Sequence, residues 1–302
     1  MMKSLFYSSL PAFFVLLSFH GHAQKLTVEE LWLTDVEVRT IHYSTTYGLI
    51  AGLGDGIVLY DSTKATSLAG AFENAFPVST LFEDGDGNLW IGGLGFLRKV
   101  SNTESITYAI VDDIGLDGRV IFSVFQDENQ NIWTSAPGGA AVYKNQSWKT
   151  YQVKDGLKHH VVHDVCQDKN NNMWFATRKG GVNILGKSWE YKLLDKNSRK
   201  LLKDDNDQIW VGASEGLFTR DNDRWISYES GKTVLPMFQD GDGRIWCVAG
   251  GTGVLIISET KEITRYEKLL GNEVTEIYAM TEGHRGDVWL ATDKGVFRCR
   301  PQ

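Results

Sequence analysis

An apolar residue and a tryptophan followed by small or branched residues recur along this chain, and a repeated unit of that kind must stack on its neighbours to bury its apolar face. The copies are Asn88-Leu89-Trp90-Ile91-Gly92-Gly93, Asn131-Ile132-Trp133-Thr134-Ser135-Ala136, Asn172-Met173-Trp174-Phe175-Ala176-Thr177, Gln208-Ile209-Trp210-Val211-Gly212-Ala213, Arg244-Ile245-Trp246-Cys247-Val248-Ala249 and Asp287-Val288-Trp289-Leu290-Ala291-Thr292. A weaker copy, Tyr47-Gly48-Leu49-Ile50-Ala51-Gly52, has Leu49 in place of the Trp. From Leu49 through Trp90, Trp133, Trp174, Trp210, Trp246 and Trp289 the steps stay between 36 and 43 residues.

The surroundings of each phrase recur too. A run of Asp, Asn and Gly precedes it, as in Glu83-Asp84-Gly85-Asp86-Gly87, and a glycine follows the Trp after five to seven residues. Both are hairpin punctuation. A short apolar run follows that glycine, then often an aromatic pair such as Trp148/Tyr151, Trp189/Tyr191 or Trp225/Tyr228, and a further apolar or alternating stretch leads into each acidic turn. That makes four short strands per repeat. The pattern predicts an all-β fold, a seven-bladed β-propeller of four-stranded blades. The small residues two after each Trp (Ala51, Gly92, Ser135, Ala176, Gly212 and Ala291, against Val248) are expected to leave room for a neighbouring blade's aromatic ring. Because the last repeat stops after its third strand, the segment Leu26 to Leu33 is expected to complete the last blade and close the ring, with Trp32 as a fourth-strand Trp.

The first 23 residues read as a secretory signal peptide: Lys3 supplies a positive start, Leu5 to Phe19 is mostly apolar, and Gly21-His22-Ala23 offers small residues for cleavage. Residues 24–302 then form a single propeller. No cysteine follows the expected cleavage point, so lipid attachment is not expected, and no later window is long and apolar enough for membrane insertion of the mature chain. The expected location is periplasmic or secreted. The formal net charge of −7 and the lack of a basic block argue against nucleic-acid binding. Cys166, Cys247 and Cys299 have no CxxC spacing and read as buried small hydrophobes rather than disulfide partners.

The pattern D-x-x-G/N-x-aliphatic-Trp, followed by small residues and Gly-aliphatic, resembles the two-component regulator propeller repeat over nearly all of residues 25 to 300. The resemblance implies a periplasmic sensing module of the kind found in hybrid two-component sensors, often glycan-responsive, with streptogramin lyases carrying similar repeats. It implies a carbohydrate, a peptide or an envelope protein as partner. Unlike the usual sensors, this chain shows one ring and no second propeller or kinase, so it is expected to act in trans.

No G-x-S-x-G, P-loop, H-E-x-x-H or dinucleotide fingerprint occurs, so no catalytic residue is assigned and no cofactor is expected. A propeller lyase acting on a small cyclic or polysaccharide substrate is the alternative. Asp84, Asp86 and Asn88 alternate as metal ligands would, but Leu89 occupies the sixth position, where a calcium loop needs glycine, so these are read as turns and no metal is assigned. Within His159-His160-Val161-Val162-His163-Asp164, an extended chain sets His159 and His163 about 13 Å apart, too far for one zinc shell. Repeat position assigns His159 and His160 to the ligand-facing rim, together with Asp55, Arg178, Lys179, Glu215, Asp293 and Lys294 in the loops between second and third strands. These eight are the candidate ligand-binding residues.

Overall fold

A computed structural model of the chain describes residues 14–15, 26–33, 35–61, 64–67, 76–101, 103–221, 224–270, 273–284 and 286–301. The expected signal peptide lies outside the described residues except for Phe14–Val15, which pair with the strand Leu26–Trp32. Strand makes up about 59% of the chain, so backbone polar groups are satisfied mainly between strands. Helix among the described residues is limited to two single turns, Ile110–Ile114 and Val153–Asp155.

The strands form antiparallel four-stranded sheets over residues 38–67, 78–109, 123–151 and 162–192. Residues 198–266 form two such groups joined by one pair, Ala213 opposite Val234. In the last group Leu26–Trp32 pairs with Gly295–Pro301, outside Val288–Thr292 and Ile277–Glu282. The first strands lie side by side: Val38–Ser44, Val78–Glu83, Ser123–Gln126, Val162–Gln167, Ser198–Lys203, Val234–Gln239 and Ile277–Glu282 follow one another, and the last returns to the first. The fold is propeller-like, and the strand faces between neighbouring sheets make the core.

The acidic run before each Trp has a precise local role. In the turn that starts at Asp84, one carboxylate oxygen accepts the backbone N–H groups of Asp86 (3.1 Å) and Asn88 (2.9 Å), while the other accepts the indole N–H of Trp90 at 2.7 Å. Asp127 with Trp133, Asp168 with Trp174, Asp204 with Trp210 and Asp240 with Trp246 repeat the bond at 2.7 to 2.9 Å, always six residues apart. One side chain therefore folds the hairpin turn and satisfies the polar atom of a buried Trp. The sheet of Trp289 departs from this. Gly283 stands six residues before it, and a Cβ there would come within 2.6 Å of the indole nitrogen.

Two expectations about packing are corrected. A Cβ added at Gly92 would meet Thr80 of its own sheet at 2.5 Å and Ile121 of the next at 2.8 Å, and one at Gly212 would meet Pro236 at 2.5 Å. The small position admits the first strand of the next sheet, not an aromatic ring. Trp148 pairs with Tyr143 and Trp189 with Leu185, and the matching partner in the last sheet, Cys299, pairs with Val28. Trp32 stands four residues further on, opposite Val296, so its register is not that of the other outer-strand Trp residues. The chain reaches Leu49 from Trp32 in fewer residues than the other repeats use, which leaves no length for an equivalent register.

Cys166, Cys247 and Cys299 are buried and unpaired, and burial pushes all three thiols well above their usual range. They are inert core residues.

Candidate functional site

In an antiparallel sheet alternate connections fall at opposite ends. The Asp turns occupy one end. The loops between second and third strands, with the connections from one sheet to the next, occupy the other, and backbone bonds tie them together there. Gly95 N–H donates to the Arg119 carbonyl (2.7 Å), Gly138 to His160 (2.7 Å), Arg178 to Val161 (3.1 Å), Ser214 to Asn197 (3.1 Å) and Asp35 to Lys294 (3.0 Å). A rigid rim results, from which side chains project.

The sequence candidates fall into separate groups on this rim. His159 and His160 stack at 4.4 Å, the Val161 N–H donates to His159 Nδ1 at 3.0 Å, and a Cβ at Gly180 would touch the Cβ atoms of both His159 and Lys158 at 3.2 Å. Arg178 and Lys179, in the adjoining loop, are exposed, and neither side chain has a hydrogen bond or ion pair among the described residues. These four come together. Asp55 is an exposed turn residue apart from them.

Three others are tied into the loops. Both oxygens of Glu215 face the Asn197 N–H, the nearer at 3.1 Å, and Asp293 accepts the Thr275 and Glu276 N–H groups and the Thr275 hydroxyl, the last at 2.7 Å. The bonds from Thr275 and Glu276 hold the Asp293 carboxyl below its usual range although desolvation opposes them. Lys294 is half-buried, its N–H on the Thr292 hydroxyl and its carbonyl on Asp35.

Sequence reading missed a further set. Register shifts in the first strands fall between Val38 and Thr40, Val78 and Thr80, Val162 and Asp164, Ser198 and Lys200, Pro236 and Phe238, and Ile277 and Ala279. Each bulge releases one residue from the ladder: Arg39, Ser79, His163, Arg199, Met237 and Tyr278. His163 lies against Phe122 with ring centroids 5.2 Å apart. Desolvation, reinforced by Arg199 and Arg178, pushes its pKa down to about 4, so at neutral pH it is uncharged. Desolvation, with His160 and Arg178, lowers His159 as well. His159, His160, His163, Arg178, Lys179 and Arg199 thus form one cation-rich arc. Arg39 is bound instead to Glu37 at 2.9 Å. Desolvation, then Glu37, raises Tyr278. Only a shift in cross-strand register reveals the bulge residues, and no local motif carries it.

The rim also presents apolar side chains. Leu94, Val111, Val153 and Leu194 are each 51 to 57% exposed, the highest values among the exposed large hydrophobic side chains, and all four lie in rim loops or connections. An array of unpaired cations and exposed apolar groups on a rigid frame can hold an acidic, partly apolar partner. Among the described residues no group of three His, Cys, Asp or Glu side chains is arranged to hold a metal ion.

Residues 73–95 and 156–179 match the family described as two component regulator propeller, and the second stretch spans His159, His160, Arg178 and Lys179. No curated protein matches the sequence. Among solved structures, the extracellular domain described as that of a hybrid two component system from B. thetaiotaomicron is similar over 91% of this chain, with 15% identity and a TM-score of 0.77. The match covers 42% of that domain, so this chain spans less than half of it. A streptogramin B lyase is similar over 92% of this chain and 98% of its own, with 14% identity and a TM-score of 0.75. A catalytically inactive virginiamycin B lyase from Staphylococcus aureus, solved with quinupristin, matches over 92% and 100%, with 12% identity and a TM-score of 0.74. The chain therefore carries two component regulator propeller repeats at residues 73–95 and 156–179, within a propeller-like fold similar to those of a two-component sensor's extracellular domain and of streptogramin lyases.

Proposed function

We propose that the chain is an exported sensory recognition module: a seven-bladed propeller, closed into a ring by the pairing of Leu26–Trp32 with Gly295–Pro301, that binds its partner on the rim. The observation that carries this reading is the coincidence, at one end of the sheets, of Arg178 and Lys179 without partners and the exposed Leu94, Val111, Val153 and Leu194. Neither set serves the fold. Such a surface favours an acidic peptide or envelope protein over a neutral carbohydrate, because apolar contact and charge complementarity act on the same partner. Export to the periplasm or medium is supported by Lys3 and the apolar run after it, and by the extracellular origin of the sensor domain that shares the fold. No helix among the described residues is long and apolar enough to cross a membrane.

Co-purification from the native envelope tests the reading. Arg178→Ala with Lys179→Ala should weaken capture of the partner while shifting stability by no more than about 0.5 kcal/mol, as for exposed residues away from structural features. Retention of every partner by this double variant would remove the rim from the function.

The lyase reading draws support from the 98% of the streptogramin B lyase that this one chain matches. Turnover of a cyclic depsipeptide, lost on His160→Ala, would favour it.

A further inference from the structure

Opposite the rim, between the sheets of residues 123–151 and 162–192, lies a cleft of about 430 Å³, within the range of small-molecule sites. Its floor is a pile of rings. Trp133 and Tyr151 are stacked with centroids 5.4 Å apart, and Phe175 of the next sheet lies 5.9 Å from Trp133. Its mouth is formed by three turns, which bring Asn129, Asn145 and Asn171 together.

What sets this gap apart is the row of side chains that runs outward from its Trp. Across the strands Trp133 faces Val142 and then Lys149. The same rows elsewhere read Trp90, Lys99, Ile106; Trp174, Ile184, Glu190; Trp210, Thr219, Ile226; and Trp246, Ile256, Thr264. Only the row of Trp133 ends in lysine. In the preceding gap Tyr143 and Trp148 of the following sheet pack with Tyr108 over Trp90, whereas here the residue that matches Tyr143 is the smaller Leu185.

The polar groups at the mouth have capacity to spare. Lys149 Nζ rests 4.7 Å over the Tyr151 ring, and neither it nor Lys144 has an ion pair among the described residues. The one carboxylate in the lining, Asp127, is buried, accepts from Asn129, Asn131 and Trp133, and forms no ion pair with either lysine among the described residues. Left-handed backbone at Asn145 and Asn171 (φ of 50° and 62°) accounts for the choice of asparagine there. The side-chain amide of Asn145 and the Nδ2 donors of Asn129 and Asn171 have no partner among the described residues.

We propose that this cleft is a second ligand site, separate from the rim, for a small organic anion: a carboxylate or phosphate ester whose charge meets Lys144 and Lys149 and whose neutral polar groups meet the free amides. Buried ring edges below and amide donors above would hold such a molecule by enclosure, and the two lysines would select its charge.

Titration calorimetry of the full chain at low salt, with trigalacturonate as the carboxylate probe and glucose 6-phosphate as the phosphate probe, distinguishes the two sources. Glucose is the neutral control and inorganic phosphate the bare anion. At least one organic anion should bind about tenfold tighter than glucose and than inorganic phosphate. Lys149→Gln should cost that probe about tenfold, Lys149→Arg should restore most of it, and Arg178→Ala with Lys179→Ala should leave it unchanged. Melting curves establish that the variants fold. The proposal is overturned if neither organic anion binds, if inorganic phosphate binds as tightly, if Lys149→Gln binds like wild type, or if the rim double variant loses the probe. Only the last outcome would move the probe's site to the rim; the others leave the rim reading untouched.

Discussion

The turn from Asp204 to Gln208 and the turn from Asp240 to Arg244 are near copies: each carboxylate closes its own hairpin through backbone N–H groups and holds a buried indole 2.7 to 2.9 Å away. At the opposite end of the sheets, the loop of Arg178 and Lys179 and the loop of Asp293 and Lys294 share a position but no chemistry, since one projects unpaired cations and the other spends its carboxylate on Thr275 and Glu276. Uniform turns mark the end that holds the repeats together. Divergent loops mark the end that is free to recognise something, because a rim loop needs only backbone bonds to keep its shape.

If that division is right, substitutions of the repeated Asp and Trp should be large in stability and silent in recognition at the rim. Trp210→Ala, which empties a fully buried site, should cost about 3–5 kcal/mol in denaturant unfolding. Asp204→Ala removes the turn's acceptor and strands the Trp210 N–H, and about 1–3 kcal/mol is expected. A loss under about 0.5 kcal/mol would mean that the repeated bond is ornament to the fold.

Gly283 sharpens the comparison, since among the sheets that carry the Trp it is the turn position that departs from Asp. Gly283→Ala should destabilise by about 1–3 kcal/mol through overpacking against the Trp289 indole, although Ala restricts the unfolded chain more than Gly does. A stabilised variant would show that Trp289 shifts freely.

The smallest effect concerns the rim and depends on pH. His163 has a folded pKa of about 4 against an ordinary 6.5, so the unfolded chain binds the proton more readily. Its contribution to stability is therefore complete above about pH 6.5 and is lost as the pH falls toward 4. His163→Gln should flatten the fall in melting temperature across that window, and identical pH profiles for the two proteins would show that the ring is not held neutral.

Much of this was legible in the order of residues. The Trp phrase, the Asp-Gly turns and the glycines after them are local chemistry, readable wherever the chain goes, and they led to four-stranded repeats and an all-β propeller-like fold. The same reading treated Asp84 and its counterparts as turn formers, and their second bond, to a Trp six residues on, required knowing which way the indole points. Register was harder. Trp32 looks like a fourth-strand Trp by composition, yet Val28 holds that position, because pairing with Gly295–Pro301 is set by the partner strand and not by the segment itself. Repeat position assigned Arg178, Lys179 and Glu215 alike to the rim. That Glu215 is spent on Asn197 while the two cations have no partner depends on the adjacent connection.

The sequence alone determined the repeat and the turns, since each rests on conformational preferences within a few residues of chain. Tertiary structure alone decided which charges stay free, which bulged residues leave the ladder, and which gap between sheets remains open beside Val142. Those outcomes come from side chains of different repeats competing for the same space and the same hydrogen-bonding partners, and no single repeat encodes them.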